Sequence, residues 1–346
     1  MEYGKYIDYI LEQTKAVLDI DSPTGYTKDA VEYLCGVYRD LGYDPIVTKK
    51  GGLLVDLGPA DGEDPILVEA HLDTLGAMVK TVKGNGALMV TPLGGLQAPN
   101  VETETVTVIT REGKKYQGTF QVENASSHVN REVATAVRAF DSTLELLLDE
   151  KVYSKDDTKK LGIETGDFVA VNPRFTITES GFIKSRFLDD KASAAVLLTL
   201  AKALKEGDAA FNRKVYINFT VYEEVGHGAA AGIPADVVDM ISVDMGCVGN
   251  GLNCKETQVS ICAKDSSGPY NYDVVNELVA AAKKAGADYA IDIYPFYGSD
   301  VDVSLKAGYD IRHGLIGPGV YASHGYERSH VEGLVNTYKL LAEYLR

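Results

Sequence analysis

Apolar positions recur at intervals of three and four over residues 3–18 and 27–42, which predicts two amphipathic helices. Short apolar runs follow at LLVDL (53–57) and ILVEA (66–70), and these read as strands. From about Lys80 the pattern changes. ALMVTPL, ETVTVIT, KKYQGTFQV and LELLL are short, alternating and broken by Gly, Asn and Pro, the mark of a small β-rich unit that ends near Thr178. Longer periods then return: an apolar helix at KASAAVLLTLAKAL (191–204), strands at KVYINFTV (214–221) and MISVD (240–244), and a helix at YDVVNELVAAAKKAG. Strands near YAIDIY and IRHGLIG and a last helix from about His330 to Leu345 complete the chain. Strands alternating with helices predict an α/β fold with a mostly parallel sheet flanked by helices. The expected organisation is one α/β domain of residues 1–78 and 180–346, interrupted by a small β-rich domain at 79–179.

A chain of 346 residues can bury a full core. Its longest apolar run, ASAAVLLTLA (192–201), is too short to cross a bilayer, and MEYGKYIDYILEQTKAVL reads as an acidic amphipathic helix rather than an export signal. A cytoplasmic protein without membrane partners is expected. Cys35, Cys247, Cys254 and Cys262 form no CxxC pair or zinc-ribbon spacing, which predicts isolated reduced thiols. The formal net charge of −16, with no basic run to neutralise phosphates, argues against nucleic acid as a partner. No Gly-rich nucleotide-binding motif follows a strand. DIDSPTG (19–25) carries Pro23 and lacks the closing Glu of a calcium loop, so it reads as a turn.

Ligands of open α/β sheets bind beyond the carboxyl ends of the strands, so the residues following each apolar strand are a direct search for a site. After ILVEA come His71 and Asp73; before the buried helix come Asp189 and Asp190; after KVYINFTVY come Glu223 and Glu224. Asp244 follows MISV, and His324 follows the late strand near LIGPGVYAS. Imidazole and carboxylate without thiolate is the donor chemistry of a divalent metal site of the zinc type. Such ions would relieve the repulsion between Glu223 and Glu224, leaving one to bind metal and the other to face substrate. Residues two apart in extended chain point the same way, so the Asp73 side chain is placed to hold the His71 imidazole in one tautomer. Each piece has an ordinary reading: adjacent acids are commonly solvated, and Asp190 can cap the helix beginning at Lys191. Their recurrence at successive strand ends favours the metal site. Ser329 and Glu332 match a capping box before the last helix, which gives His330 a structural role and leaves His324 as the ligand. His128 and His313 read as structural; His227 does too, although it lies three residues from Glu224.

These residues resemble the dinuclear metallo-aminopeptidases of the TET type, a family that includes glutamyl aminopeptidases. HLDTLGAMV, FLDDKASAA, VYEEVGHGAA, ISVDMG and GSD (298–300) are similar to that family's successive motifs over nearly the whole chain. The resemblance implies that His71 and Asp244 hold one metal, Glu224 and His324 the other, and Asp189 bridges them. It also implies Glu223 as general base and Asp73 as the partner of His71. Two divalent ions per chain are expected, zinc first, with cobalt or manganese as alternatives. The implied substrates are short peptides with a free N-terminus, and the inserted domain is implied to join subunits into a homo-oligomer, commonly a dodecamer, or to cover the cleft. The sequence departs from the family at Thr74, in the shortened loop after Glu224, and at HGYE (324–327), which is closer to the related tripeptidase and desuccinylase pattern.

The expected chemistry is hydrolysis of an amide by metal-activated water, with Glu223 moving the proton to the leaving amine. Another metal-dependent amidohydrolase or deacylase of the tripeptidase-desuccinylase type is the alternative. A glycosidase would need carboxyls roughly 5–9.5 Å apart across a bond, which sequence neighbours such as Glu223 and Glu224 fit poorly. A metal-bearing scaffold without turnover leaves Glu223 without a use.

Overall fold

The structure, a computed structural model, describes residues 3–59 and 62–346, so Met1 and Glu2 at the head of the expected N-terminal helix lie outside it. Contacts divide the chain into two compact units, Met1–Asp73 with Arg174–Arg346, and Thr74–Pro173. The second begins and ends a few residues earlier than the expected 79–179. The strand opening at Gly76 pairs only within the small unit, whereas Thr176–Ile177 already pairs with the large sheet.

The large unit starts with α1 (Ile7–Leu18), α2 (Lys28–Asp40), β1 (Ile46–Val47), β2 (Leu53–Gly58) and β3 (Glu63–His71). The small unit contains β4 (Gly76–Val82), β5 (Leu88–Leu93), β6 (Thr105–Ile109), β7 (Lys115–Val122), β8 (Leu144–Leu148), α3 (Lys155–Lys160) and β9 (Phe168–Val171). The chain returns through β10 (Thr176–Ile177), β11 (Phe182–Ser185), α4 (Leu188–Lys205), β12 (Arg213–Thr220), β13 (Asp239–Val243) and β14 (Gly246–Val248). It closes with β15 (Val259–Lys264), α5 (Tyr272–Ala285), β16 (Tyr289–Ile293), α6 (Asp300–Lys306), β17 (Arg312–Tyr321), β18 (Glu327–His330) and α7 (Val331–Tyr344).

In the small unit, six strands close into a barrel in the order β4-β5-β8-β7-β6-β9. Val106, Val108, Phe120, Leu146 and Val169, on four of its strands, are buried, as a closed sheet requires of its inward positions. In the large unit a twelve-stranded sheet runs β1-β2-β12-β3-β13-β17-β18-β11-β10 along its main path. The strands β12, β3, β13 and β17 are parallel, but β1, β2, β10, β11 and β18 pair antiparallel. The expected mostly parallel sheet is therefore corrected to a mixed one. Tight turns at Thr48–Gly52 and Thr178–Phe182 join neighbouring strands at its two ends, and so short a connection permits only antiparallel pairing.

Alternation along the central strands divides the core. Leu67, Tyr216, Met240 and Leu315 pack on one face with Ala229, Ile233 and Val301 of the loops and α6. Val274 and Leu278 of α5 meet Ile241 on the other, around Gly314. There α4, buried over nearly its whole length, explains the continuous apolar run in the sequence. Each fully buried Leu or Val contributes about 1.5–3 kcal/mol, so this helix fixes the large unit firmly. Among the described residues no helix is long and apolar enough to cross a membrane. The four cysteines are free, and burial pushes the thiols of Cys247 and Cys254 up to about 12.

Candidate metal centre

Strand register assembles the site. Leu67, Glu69 and His71 share one face of β3; Tyr216 pairs with Leu67 and Thr220 with His71 across β12. On the other side Met240 pairs with Leu67 and Ser242 with Glu69, so Asp244, two residues on, comes level with His71 beyond the end of β13. The next strand must approach closely here. A Cβ on Gly317 would lie 1.5 Å from the Asp244 carbonyl oxygen, so only glycine fits.

The remaining residues arrive on tight loops. Left-handed Phe187 (φ 65°) turns the chain out of β11, and Asp189 and Asp190 depart from helical geometry before α4 settles. Left-handed Tyr222 (φ 72°) and Gly226 (φ 79°) bracket the single turn that carries Glu223 and Glu224. His324, also left-handed (φ 63°), lies between β17 and β18.

The structure brings all seven expected residues together. His71 Nε2 is 3.0 Å from Asp189 Oδ1 and 3.8 Å from Glu223 Oε2. His324 Nε2 is 3.6 Å from Asp189 Oδ2 and 3.5 Å from Glu224 Oε2. Asp189 thus stands between the two imidazoles. Potential ligand atoms of His71, Asp189 and Glu224 lie within 4.8 Å of one another, as do those of His71, Asp190 and Asp244. Asp190, gathered with the site acids in the sequence and also able to cap the helix, accepts the backbone N–H of His71 through its Oδ2 at 3.2 Å, tying the helix start to the end of β3.

Asp73 holds His71, though through a different atom than expected. His71 Nδ1 lies 2.8 Å from the Asp73 backbone carbonyl and 3.8 Å from its carboxylate. The carboxylate is occupied elsewhere: Oδ2 accepts the Thr24 hydroxyl at 2.8 Å and Oδ1 the backbone N–H of Glu223 at 3.1 Å. A carbonyl can only accept, so Nδ1 carries a proton; Nε2, 3.0 Å from Asp189 Oδ1, donates to that carboxylate when the imidazole is charged and offers its lone pair to an ion once that second proton is lost.

The electrostatics are those of acids short of a cation. Burial first, and the neighbouring carboxylates second, push Glu223 and Glu224 well above the usual carboxylate range and Asp244 up to about 7. Burial opposes charge on Asp189 as well, but its hydrogen bond to His71 wins and holds it low. His71 is correspondingly pushed up: burial disfavours its charge, and the Asp189 bond and surrounding acids outweigh that. Imidazole and carboxylate donors with excess negative charge fit divalent ions of the zinc type.

Two residues unrecognised in the sequence brace this set. Buried Glu327 accepts the backbone N–H groups of Asp189 at 3.2 Å and His324 at 3.1 Å, joining the loops that carry these two residues. The HGYE motif contained this residue, but nothing local identified its partners. Asp300, in the GSD segment, accepts the Thr220 hydroxyl at 2.5 Å and the Ala229 N–H at 2.9 Å, supporting the loop after Glu224.

The expected capping box is corrected. Ser329 lies within β18, and its hydroxyl donates to the Gly319 carbonyl at 2.7 Å. His330 itself caps α7: its Nδ1 accepts the Glu332 N–H at 3.1 Å, so Nε2 carries the proton donated to Ser180 O at 2.8 Å. His227 is exposed and stacks on Tyr222 with centroids 5.0 Å apart, while half-buried His313 packs against Tyr270. His128 is exposed in the small unit.

An α/β unit with an acid- and histidine-lined centre at its strand ends and an inserted barrel defines a class of hydrolase scaffold. The fold matches that of the TET1 peptidase of Pyrococcus horikoshii, with a TM-score of 0.85 and 24% identity over 97% of this chain and 99% of that one. In sequence the chain is 42% identical over 336 residues to YhfE of Bacillus subtilis (strain 168), a protein with a provisional aminopeptidase name, covering 97% of each. It is 26% identical over 219 residues to the glutamyl aminopeptidase of Lactococcus lactis subsp. cremoris, covering 63% of this chain and 60% of that protein. Residues 51–340 match the model of the M42 glutamyl aminopeptidase family, and the chain belongs to that family of peptide hydrolases.

Proposed function

We propose that the protein is a dinuclear metallo-aminopeptidase that removes N-terminal residues from short peptides. His71 and Asp244 would hold one ion, Glu224 and His324 the other, and Asp189, which faces both imidazoles, would serve both. Zinc suits the donors best, with cobalt or manganese as alternatives. Bound there, two divalent ions supply Lewis acidity toward the scissile carbonyl and make water acidic enough to lose a proton near neutrality.

The observation that carries this reading is the position of Glu223. Its carboxylate borders the ligand set, 3.8 Å from His71, yet belongs to neither group of converging ligand atoms. Its side chain remains 16% exposed, more open to a substrate than Glu224 at 4%. An acid with a raised affinity for protons beside such a centre is suited to take a proton from water and pass it to the departing amine. Asp73 fixes the backbone of that acid through its side chain and the tautomer of His71 through its carbonyl.

Metal analysis of the purified protein, coupled to hydrolysis of matched free and N-acetylated peptides, tests the proposal. Two ions per chain and cleavage confined to free N-termini are expected. Equal cleavage of acetylated peptides sinks the exopeptidase reading, and activity that survives complete metal removal sinks the metal mechanism. The barrel's role is proposed separately as joining copies of the chain; the TET1 peptidase, described as able to assemble into a tetrahedron or a large octahedral shell, motivates it.

A further inference from the structure

Beside the centre lies a cavity of about 460 Å³, within the range of small-ligand sites. Gly25 and Tyr222 help to line it, and each is one residue from a group that grips Asp73: the Thr24 hydroxyl on one side and the Glu223 amide on the other. Its wall therefore continues directly from the residues that place the proposed base. Val31, Cys35 and Tyr222 supply apolar lining. Burial pushes the Cys35 thiol up and keeps it inert, with Arg39 close enough for its charge to oppose that shift.

The charged lining inverts the character of the chain. Acids outnumber bases by 50 to 34 in the whole protein, but Lys28, Arg39 and Lys50 face only Glu32 here. The Lys50 ammonium is engaged by the carbonyls of His227 and Gly228. Lys28, placed 5.4 Å over the Tyr26 ring, and Arg39 have no ion-pair partner among the described residues. A peptide substrate carries one charge of each sign. Its ammonium is repelled by the bases of this cavity, and its carboxylate is attracted by them.

We propose that the cavity receives the substrate beyond the scissile bond and holds its C-terminal carboxylate near Lys28 and Arg39, selecting short peptides with a free C-terminus. This rests on the aminopeptidase reading with Glu223 as base. An extended residue spans at most about 3.6 Å, so a second charge held beside the centre sets an upper limit on peptide length that an open groove would not.

The test compares kcat/KM for di-, tri- and tetrapeptides, each as free acid and as C-terminal amide, together with an aminoacyl p-nitroanilide that has no carboxylate. Wild-type enzyme should favour the best free acid over its amide by about tenfold or more, as expected for one hydrogen bond between charged groups. Lys28→Ala/Arg39→Ala should collapse that ratio through KM, and Arg39→Lys should retain part of it. Equal use of acid and amide by wild type overturns the proposal, as does a ratio unchanged in the double variant. Turnover of the p-nitroanilide in either case leaves the aminopeptidase reading standing; failure of the metal-loaded enzyme on every substrate overturns both.

Discussion

The carboxylate of Asp73 accepts the backbone amide of Glu223 at 3.1 Å, so the residue that supports the proposed ligand His71 through its carbonyl also positions the proposed base through its side chain. These two functions are separable by mutation. Asp73→Ala removes the grip on Glu223 but leaves a backbone carbonyl for His71. Turnover should fall by about 10–100-fold, the range for loss of an outer support, with a smaller loss of metal affinity. Metal titration alongside kcat checks this, and parallel losses in both would mean that the carboxylate acts through His71 instead.

Glu223→Gln keeps size and hydrogen bonding but cannot take a proton. Turnover should drop at least ~100-fold while metal content stays at two per chain. Glu224→Ala and Asp189→Ala should lose metal together with activity. If Glu223→Gln sheds an ion, that residue is a ligand and another group must serve as base.

Much of the centre could be read in the sequence because parallel strands end together: a polar residue immediately after an apolar run is carried to one sheet edge. His71, Asp244 and the Glu223-Glu224 pair have that local signature. Glu327 has none, since it serves through backbone amides as far as 138 positions away in sequence. Local matching also misled at Ser329. Its spacing to Glu332 suits a helix cap, but pairing with Ile183 draws it into a strand and His330 takes over the capping. The antiparallel wings of the sheet were likewise obscured, because two-residue strands such as β1 and β10 have too little pattern to detect.

Separating the two late histidines gives a further check. His324→Ala should lose metal and activity, since its Nε2 faces both Asp189 and Glu224. His330→Ala should retain metal and lower stability by about 0.5–2 kcal/mol, the usual cost of losing a helix cap. Thermal unfolding and metal analysis on both variants decide it, and metal loss confined to the His330 variant would move the ligand role there.

A pH effect is expected away from the metal centre. Burial first, then the facing Asp265 carboxylate, raises Asp302 to about 6, while Asp265 remains committed to the Ser267 and Gly268 amides and the Tyr270 hydroxyl. A carboxyl with a raised folded-state pKa binds its proton more tightly when folded. Its stabilising contribution is full below the ordinary carboxylate value of about 4 and is lost as pH rises through about 6. Asp302→Asn keeps the position neutral, so its melting temperature relative to wild type should rise between those pH values and level off above them. A difference independent of pH would show that the two carboxyls do not share this burden.

Assembly supplies the last prediction. The barrel closes all its strand edges, so it needs no partner to satisfy its sheet, and the exposed apolar side chains on the segments between its strands call for a different account. Tyr153 at 82%, Val129 at 77% and Val137 at 73% exposure are far more open than core residues of the same types. Large exposed apolar side chains on a unit that contributes none of the proposed ligands fit a surface that meets another copy of the chain. Light scattering of the intact protein should show a homo-oligomer, and Tyr153→Asp with Val129→Asp should shift it to smaller species while leaving the melting of the barrel nearly unchanged. A full-length protein that stays monomeric at micromolar concentration would reject assembly and leave the proposed metal chemistry untouched, because every proposed ligand comes from the same large unit of one chain.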